Sequence, residues 1–204
     1  MLAVIRFRIG GSLRFLSHAE TMRLFRRACV RAGVKVAYSQ GYNPHQRMSL
    51  VLPKSVGVES DDEMLCLWLA EGETGIDKEA LRGELPDGIE IISVETTQAK
   101  NIPEPISARY VMKVRTNDVI RQHACDILAG DKIIVNRRTG EDSKTKLVDI
   151  RPFVESIEVE REQVAVDCKI SAAGTIRVDE ILDLLQLKTT DLTGPVRRVN
   201  VRYL

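Results

Sequence analysis

Strand-type and helix-type patterns alternate along this chain in one fixed order, and that order, met twice, restricts the fold more than any single motif does. Between Leu2 and Ile9, Ala3, Ile5, Phe7 and Ile9 fall on one side of a period-two alternation, with Val4, Arg6 and Arg8 on the other, as in a half-buried strand. Past Gly10 and Gly11, Ser17-His18-Ala19-Glu20 reads as a capping box, so a helix opens there and ends at Gly33. Met22, Phe25, Ala28, Cys29 and Ala32 recur at helical spacing and face a core, which leaves Arg23, Arg26, Arg27 and Arg31 as a basic stripe. Strands are expected over 35–39 and 48–52 around a polar turn at 40–47, then a strand over 63–70, a short helix over 77–85 and a closing strand over 88–94. Strand, helix, strand, strand, helix, strand is the order of a ferredoxin-like sandwich, in which two helices cover one face of an antiparallel sheet and the other face stays open for a partner.

Residues 98–106, with two prolines and an asparagine, read as a linker, after which a similar order begins again. A strand is expected over 108–115, a helix over 117–128 capped by Asn117, and strands over 132–136, 145–150, 154–160 and 163–170. The turn 138–142 is an exposed hairpin tip, Thr175 caps a helix over 178–187, and a last strand covers 196–203. The expected architecture is α+β: two tandem ferredoxin-like (βαββαβ-type) domains with antiparallel sheets, residues 1–97 and 107–204, joined by the linker. An apolar content of 44% over 204 residues supports an ordinary buried core.

Charge is unevenly placed although the net is only +1. Residues 1–54 carry ten Lys/Arg against the single acid Glu20, whereas residues 55–95 carry twelve acids against Lys78 and Arg82. A polyanion is therefore met in the first quarter of the chain, unless the two blocks neutralise each other within one fold.

Motifs for chemistry are sparse. Gly10-Gly11-Ser12 lacks the lysine and spacing of a phosphate loop, and no nucleophile elbow is present. His18, His45 and His123 stand apart from one another, which disfavours a metal site, and no cofactor is implied. Cys29, Cys66, Cys125 and Cys168 are widely spaced and read as free thiols in a reducing compartment. The apolar start is too short for a signal peptide, and no stretch reaches the roughly 20 apolar residues of a membrane span, so a cytoplasmic protein without a membrane partner is expected. The turn Tyr42-Asn43-Pro44-His45, with Arg47 beside it, gathers an aromatic ring, an amide, an imidazole and a guanidinium, a mixture suited to stacking on a base and pairing with phosphate.

The runs Arg14-Phe15-Leu16-Ser17-His18, Arg27-Ala28, Arg31-Ala32-Gly33, Ala37-Tyr38-Ser39-Gln40-Gly41-Tyr42-Asn43-Pro44-His45, Leu52-Pro53 and Gly57-Val58-Glu59 resemble a family of uncharacterised bacterial proteins linked to radical-SAM enzymes. The likeness is close over about the first 70 residues, looser at Gly174-Thr175-Ile176-Arg177 and over 197–203, and its specific part is the Ser39-to-His45 stretch. It implies a partner, a cobalamin-type radical-SAM enzyme beside or fused to such a protein, and supplies no catalytic residues. The chain has no Cys-x-x-x-Cys-x-x-Cys motif of its own. A weaker similarity is to the tandem ferredoxin-like endonucleases that process CRISPR RNA, which implies His18 or His45 as acid or base, although only Gly194 stands where that family has a glycine-rich loop.

Two functions are thus in view. In the first, the protein is a non-catalytic accessory of a radical-SAM system that recognises RNA or a protein partner: Arg6, Arg8, Arg14, Arg23, Arg26, Arg27 and Arg31 meet phosphate, and His18, Tyr42, Asn43, His45 and Arg47 add selectivity. In the second, it is a metal-independent endoribonuclease acting through His18 or His45.

Overall fold

Strand β1 (Leu2–Ile9) buries Ala3, Ile5, Phe7 and Ile9 completely and leaves Arg6 half-buried and Arg8 exposed, as its alternation demands. It belongs to a computed structural model that describes residues 1–115, 118–139 and 144–204. The chain forms two compact units, Met1–Glu104 with Leu204, and Pro105–Tyr203.

In the first unit β1 is followed by α1 (His18–Arg31), β2 (Met48–Leu50), β3 (Glu59–Trp68), α2 (Lys78–Gly83) and β4 (Ile89–Thr97). The strands lie in the order β4-β1-β3-β2, each neighbouring pair antiparallel. Helix α1 covers the apolar face of β1: the Phe25 ring meets Phe7 at 4.7 Å between centroids, and Met22, Ala28 and Cys29 join Leu65, Leu67, Leu81 and Ile91 in one core. The capping box forms as expected: Ser17 Oγ accepts the Glu20 N–H, and the Glu20 carboxylate accepts the Ser17 N–H at 2.8 Å. At the other end Gly33, with φ +71°, allows the Val34 N–H to reach the Cys29 carbonyl and its own N–H that of Val30, a complete Schellman turn. Ser17→Ala removes the cap and lowers stability by about 1 kcal/mol, measured as a fall in the urea midpoint at unchanged m.

The structure corrects the sequence reading at three places in this unit. Residues 35–39 form no strand, only isolated bridges from Val36 to Leu69 and from Tyr38 to Gln46. The segment divides its hydrogen bonds between the end of β3, through Ala37 and Lys35, and its own turn, through Ser39. Strand β3 begins at Glu59 rather than at 63, because acids that argue against a strand find partners there: Asp62 pairs with Arg6, and Glu59 accepts the Gly11 N–H. Strand β4 runs on to Thr97.

The second unit contains β5 (Pro105–Lys113), α3 (Asp118–Ala129), β6 (Ile134–Thr139), β7 (Lys144–Asp149), β8 (Val154–Val159), β9 (Gln163–Lys169), α4 (Val178–Leu184) and β10 (Arg197–Tyr203). Its main sheet has the antiparallel order β10-β5-β9-β8, while β6 and β7 form a separate two-stranded ribbon. With the ribbon set aside, the last, first, third and second strands adjoin one another just as in the first unit. The expected cap Asn117 lies outside the described residues, as do residues 140–142 of the expected hairpin tip at 138–142. Thr175 does not cap α4: its hydroxyl donates to the Lys169 carbonyl, and Arg177 holds the N-cap position instead, with Glu180 folding back onto its N–H. The guanidinium of Arg151 closes the end of α3 by donating to the Leu128 and Gly130 carbonyls at 2.8 and 2.9 Å. Arg137 ties the ribbon to α4 through two 2.7 Å bonds to the Glu180 carboxylate and one to the Thr175 carbonyl. Among the described residues, no helix is long and apolar enough to cross a membrane.

Candidate nucleic-acid interface

Much of the basic block is answered within the first unit. Arg6 pairs with Asp62 at 2.5 Å, Arg8 with Glu90 at 3.0 Å, Arg31 with Glu84 at 2.5 Å and Lys35 with Glu73 at 2.8 Å, so the acidic stretch neutralises the basic one at four points. Arg6 and Arg8 also lie on the side of β1 away from α1, and the open sheet face is therefore self-paired rather than free for phosphate. The second unit repeats this: Arg109 is held between Glu158 and Asp167, and Arg202 bonds Ser107 and Glu155.

What remains positive is the outer face of α1. Arg23 sits one turn after Glu20, whose carboxyl is held below its ordinary value first by the hydrogen bonds from Ser17 and further by the charge of Arg23. Arg26 and Arg27 make no ion pair among the described residues, and the buried Nε of Arg26 has no hydrogen-bond partner there. Arg31 is tethered, with Nε on the Glu84 carboxylate and Nη2 on the Glu84 carbonyl.

The turn after α1 comes back against this face. Its neck is closed by the bridge between Tyr38 and Gln46, by the Ser39 N–H donating to the His45 carbonyl at 2.8 Å, and by the His45 N–H donating to Ser39 Oγ at 3.0 Å. Gly41, at φ +130°, provides the reversal that no branched residue tolerates. Tyr42 at the tip is 99% exposed. Between helix and turn lies an open cleft of about 400 Å³, with Arg26, Arg27, Val30 and Arg31 on one wall and Tyr38, Pro44, His45 and Gln46 on the other.

The predicted residues are thus only partly united. The cleft brings together Arg26, Arg27, Arg31 and His45, while Tyr42 and Asn43 stand exposed on the turn just before Pro44 and do not line it. Arg14 instead stacks over Phe15 at 4.4 Å and donates to the Gly11 carbonyl, and Arg47 lies over the Trp68 ring at 4.8 Å. His18 is exposed on the first turn of α1 and lines a separate narrow recess with Thr21, Lys54 and Glu63. Sequence reasoning missed Val30 and Tyr38. Val30, apolar and 64% exposed on the charged side of the helix, carried a signal, since it breaks the core spacing of Phe25, Ala28, Cys29 and Ala32. Tyr38 falls in the 35–39 stretch, whose pattern predicts a strand that does not form.

Such a cleft can hold an anion on guanidinium groups and a flat ring against its apolar side chains. Burial pushes the thiols of Cys29 and Cys66 up to about 11, and burial, with Asp167 and Glu155 adding to it, pushes Cys168 to about 12, so these three are poor nucleophiles. Among the described residues, no group of three or more His, Cys, Asp and Glu is placed to hold a metal ion.

Residues 3–181 match a family described as uncharacterised proteins conserved in bacteria, DUF2344. The chain belongs to that family. The match takes in the whole of the cleft, α1 and the turn alike. No curated protein matches the chain. Among solved structures, a chain in the crystal structure of a Cbf5-Nop10-Gar1 complex is similar at a TM-score of 0.48 and 12% identity, over 98% of this chain and 48% of that one, so this chain spans about half that neighbour's length.

Proposed function

We propose that the protein is a non-catalytic RNA-recognition module and serves a radical-SAM enzyme as an accessory, the partner that the resemblance at residues 14–18 and 39–45 implies. The observation that carries the RNA reading is the cleft in which Arg26 and Arg27, without ion-pair partners among the described residues, face Tyr38 and His45. Guanidinium groups beside aromatic rings are the combination used on RNA backbones and bases. The sheet order shared by the two units supports reading each as a ferredoxin-like sandwich, the second with a ribbon inserted after α3. A non-catalytic role is supported by the histidines: His18 and His45 line different recesses, which gives no acid and base at one phosphate.

The test is binding of an unstructured RNA oligomer to the full chain across a salt series, with an Arg26→Glu/Arg27→Glu variant alongside. Affinity should fall steeply with salt, and the variant should flatten the log–log slope by about 0.7 for each phosphate contact removed. Absence of RNA binding by the native chain at low salt overturns the RNA reading in favour of protein docking. Cleavage of the oligomer that disappears in His45→Ala overturns the non-catalytic role.

A further inference from the structure

The lining of the cleft is more apolar than a phosphate site requires. Val30 and Tyr38 are 64% and 55% exposed, and with Pro44 they give the cleft an exposed apolar lining contributed from both walls, surface that is costly to leave in water. Arg31 is already balanced by Glu84, so the uncompensated charge of the cleft is concentrated on Arg26 and Arg27, on the helix wall. Three residues before His45, the Tyr42 ring stands in water on a turn whose neck is fixed by hydrogen bonds.

Resting on the RNA reading above, we propose that the cleft takes an unpaired nucleotide of a single strand, its phosphate on Arg26 and Arg27 and its base on Tyr38, with Tyr42 stacking a neighbouring base. An A-form duplex keeps its bases stacked inside and offers a protein surface mainly phosphate and 2′-hydroxyl groups, which would leave the apolar lining without a partner. A single strand can splay a base out, and an aromatic face receives any base because each presents a π-surface. A volume of about 400 Å³ lies in the range of small-ligand sites and suits a nucleotide rather than a helix. The site is therefore selective for strandedness more than for sequence, and its phosphate and base contacts are separable by mutation.

The experiment compares, on the full chain, one RNA oligomer as a single strand, the same oligomer in a perfect duplex, inorganic polyphosphate as a polyanion without bases, and a mononucleotide as competitor. The single strand should bind roughly tenfold or more tightly than duplex or polyphosphate. Tyr38→Ala and Tyr42→Ala should each weaken it by about 5- to 150-fold, the range of one lost base stack, while leaving polyphosphate unchanged. Tyr42 is 99% exposed, so its variant tests the stacking even where Tyr38→Ala disturbs the turn. Equal affinity for duplex or polyphosphate, or tyrosine variants that bind the strand normally, overturns the proposal. A mononucleotide competing as well as the oligomer overturns it too, placing a free nucleotide in the cleft. Failure of the RNA reading itself looks different, since then neither strand nor duplex binds.

Discussion

Glu180→Ala lowers the stability of the second unit by about 3–5 kcal/mol, because it leaves the Arg137 guanidinium in a nearly closed site with its carboxylate partner gone. The side chains of Arg137 and Glu180 are only 13% and 10% exposed, and the pair is bidentate, with Glu180 also accepting the Arg177 N–H at 2.8 Å. The same pair makes this unit sensitive to acid. Burial works to raise the Glu180 carboxyl, but the hydrogen bonds from Arg137 and Arg177 and their charges outweigh it and hold the group below its ordinary 4.5. A carboxyl lowered on folding contributes stability that is fully present above 4.5 and is lost as pH falls through the folded value. Amide hydrogen exchange in α4 and β6 is the suitable readout, since the only tryptophan, Trp68, reports on the first unit. Protection in the native protein should decline below pH 4.5, and Glu180→Ala should lower it at neutral pH and flatten the acid decline. Unchanged protection at neutral pH would show the pair to be dispensable.

Phe25→Ala has a comparable effect on the first unit, about 3–5 kcal/mol, followed by Trp68 fluorescence in urea. Phe25 is wholly buried and its ring is tilted 57° against Phe7, so truncation deletes both the transferred area and an aromatic pair. Phe25→Leu, which keeps most of the volume, should recover more than half of the loss. The effect reaches the cleft because Phe25 precedes Arg26 and Arg27 directly: the ring that seats α1 on β1 also fixes where those guanidinium groups stand. A Phe25→Ala protein as stable as the native one would mean that α1 is seated by other contacts.

Reading from sequence succeeds at three places in the first unit where one local rule governs the outcome, and misses where such a rule is overridden, as at Thr175, whose hydroxyl turns to the Lys169 carbonyl instead of capping α4. The capping box at Ser17, the reversal at Gly33 and the alternation of β1 are decided by residues within a few positions of each other. It failed where distant partners decide. Nothing near Asp62 announces that Arg6 will neutralise it, which is why β3 was started too late, and nothing near Arg8, Arg31 or Lys35 announces Glu90, Glu84 or Glu73. The uneven charge was visible at once, but not how it divides into a paired sheet face and a helix face that keeps its charge. For the same reason the cleft itself was not legible: Arg26, Arg27, Arg31 and His45 show by type and spacing as separate candidates on the helix and the turn, whereas their lining one cleft with Val30 and Tyr38 depends on the turn folding back to α1.

The closed neck of the turn bears on the kinetics of whatever binds there. A loop that must be ordered by its ligand charges that entropy to association, whereas the bonds joining Ser39 to His45 and Tyr38 to Gln46 settle it during folding. Encounter is then governed by electrostatic steering toward α1, and the lifetime of the complex by contacts along the cleft rim. The tip, with its solvent-bathed Tyr42, is left to adapt its rotamer after contact.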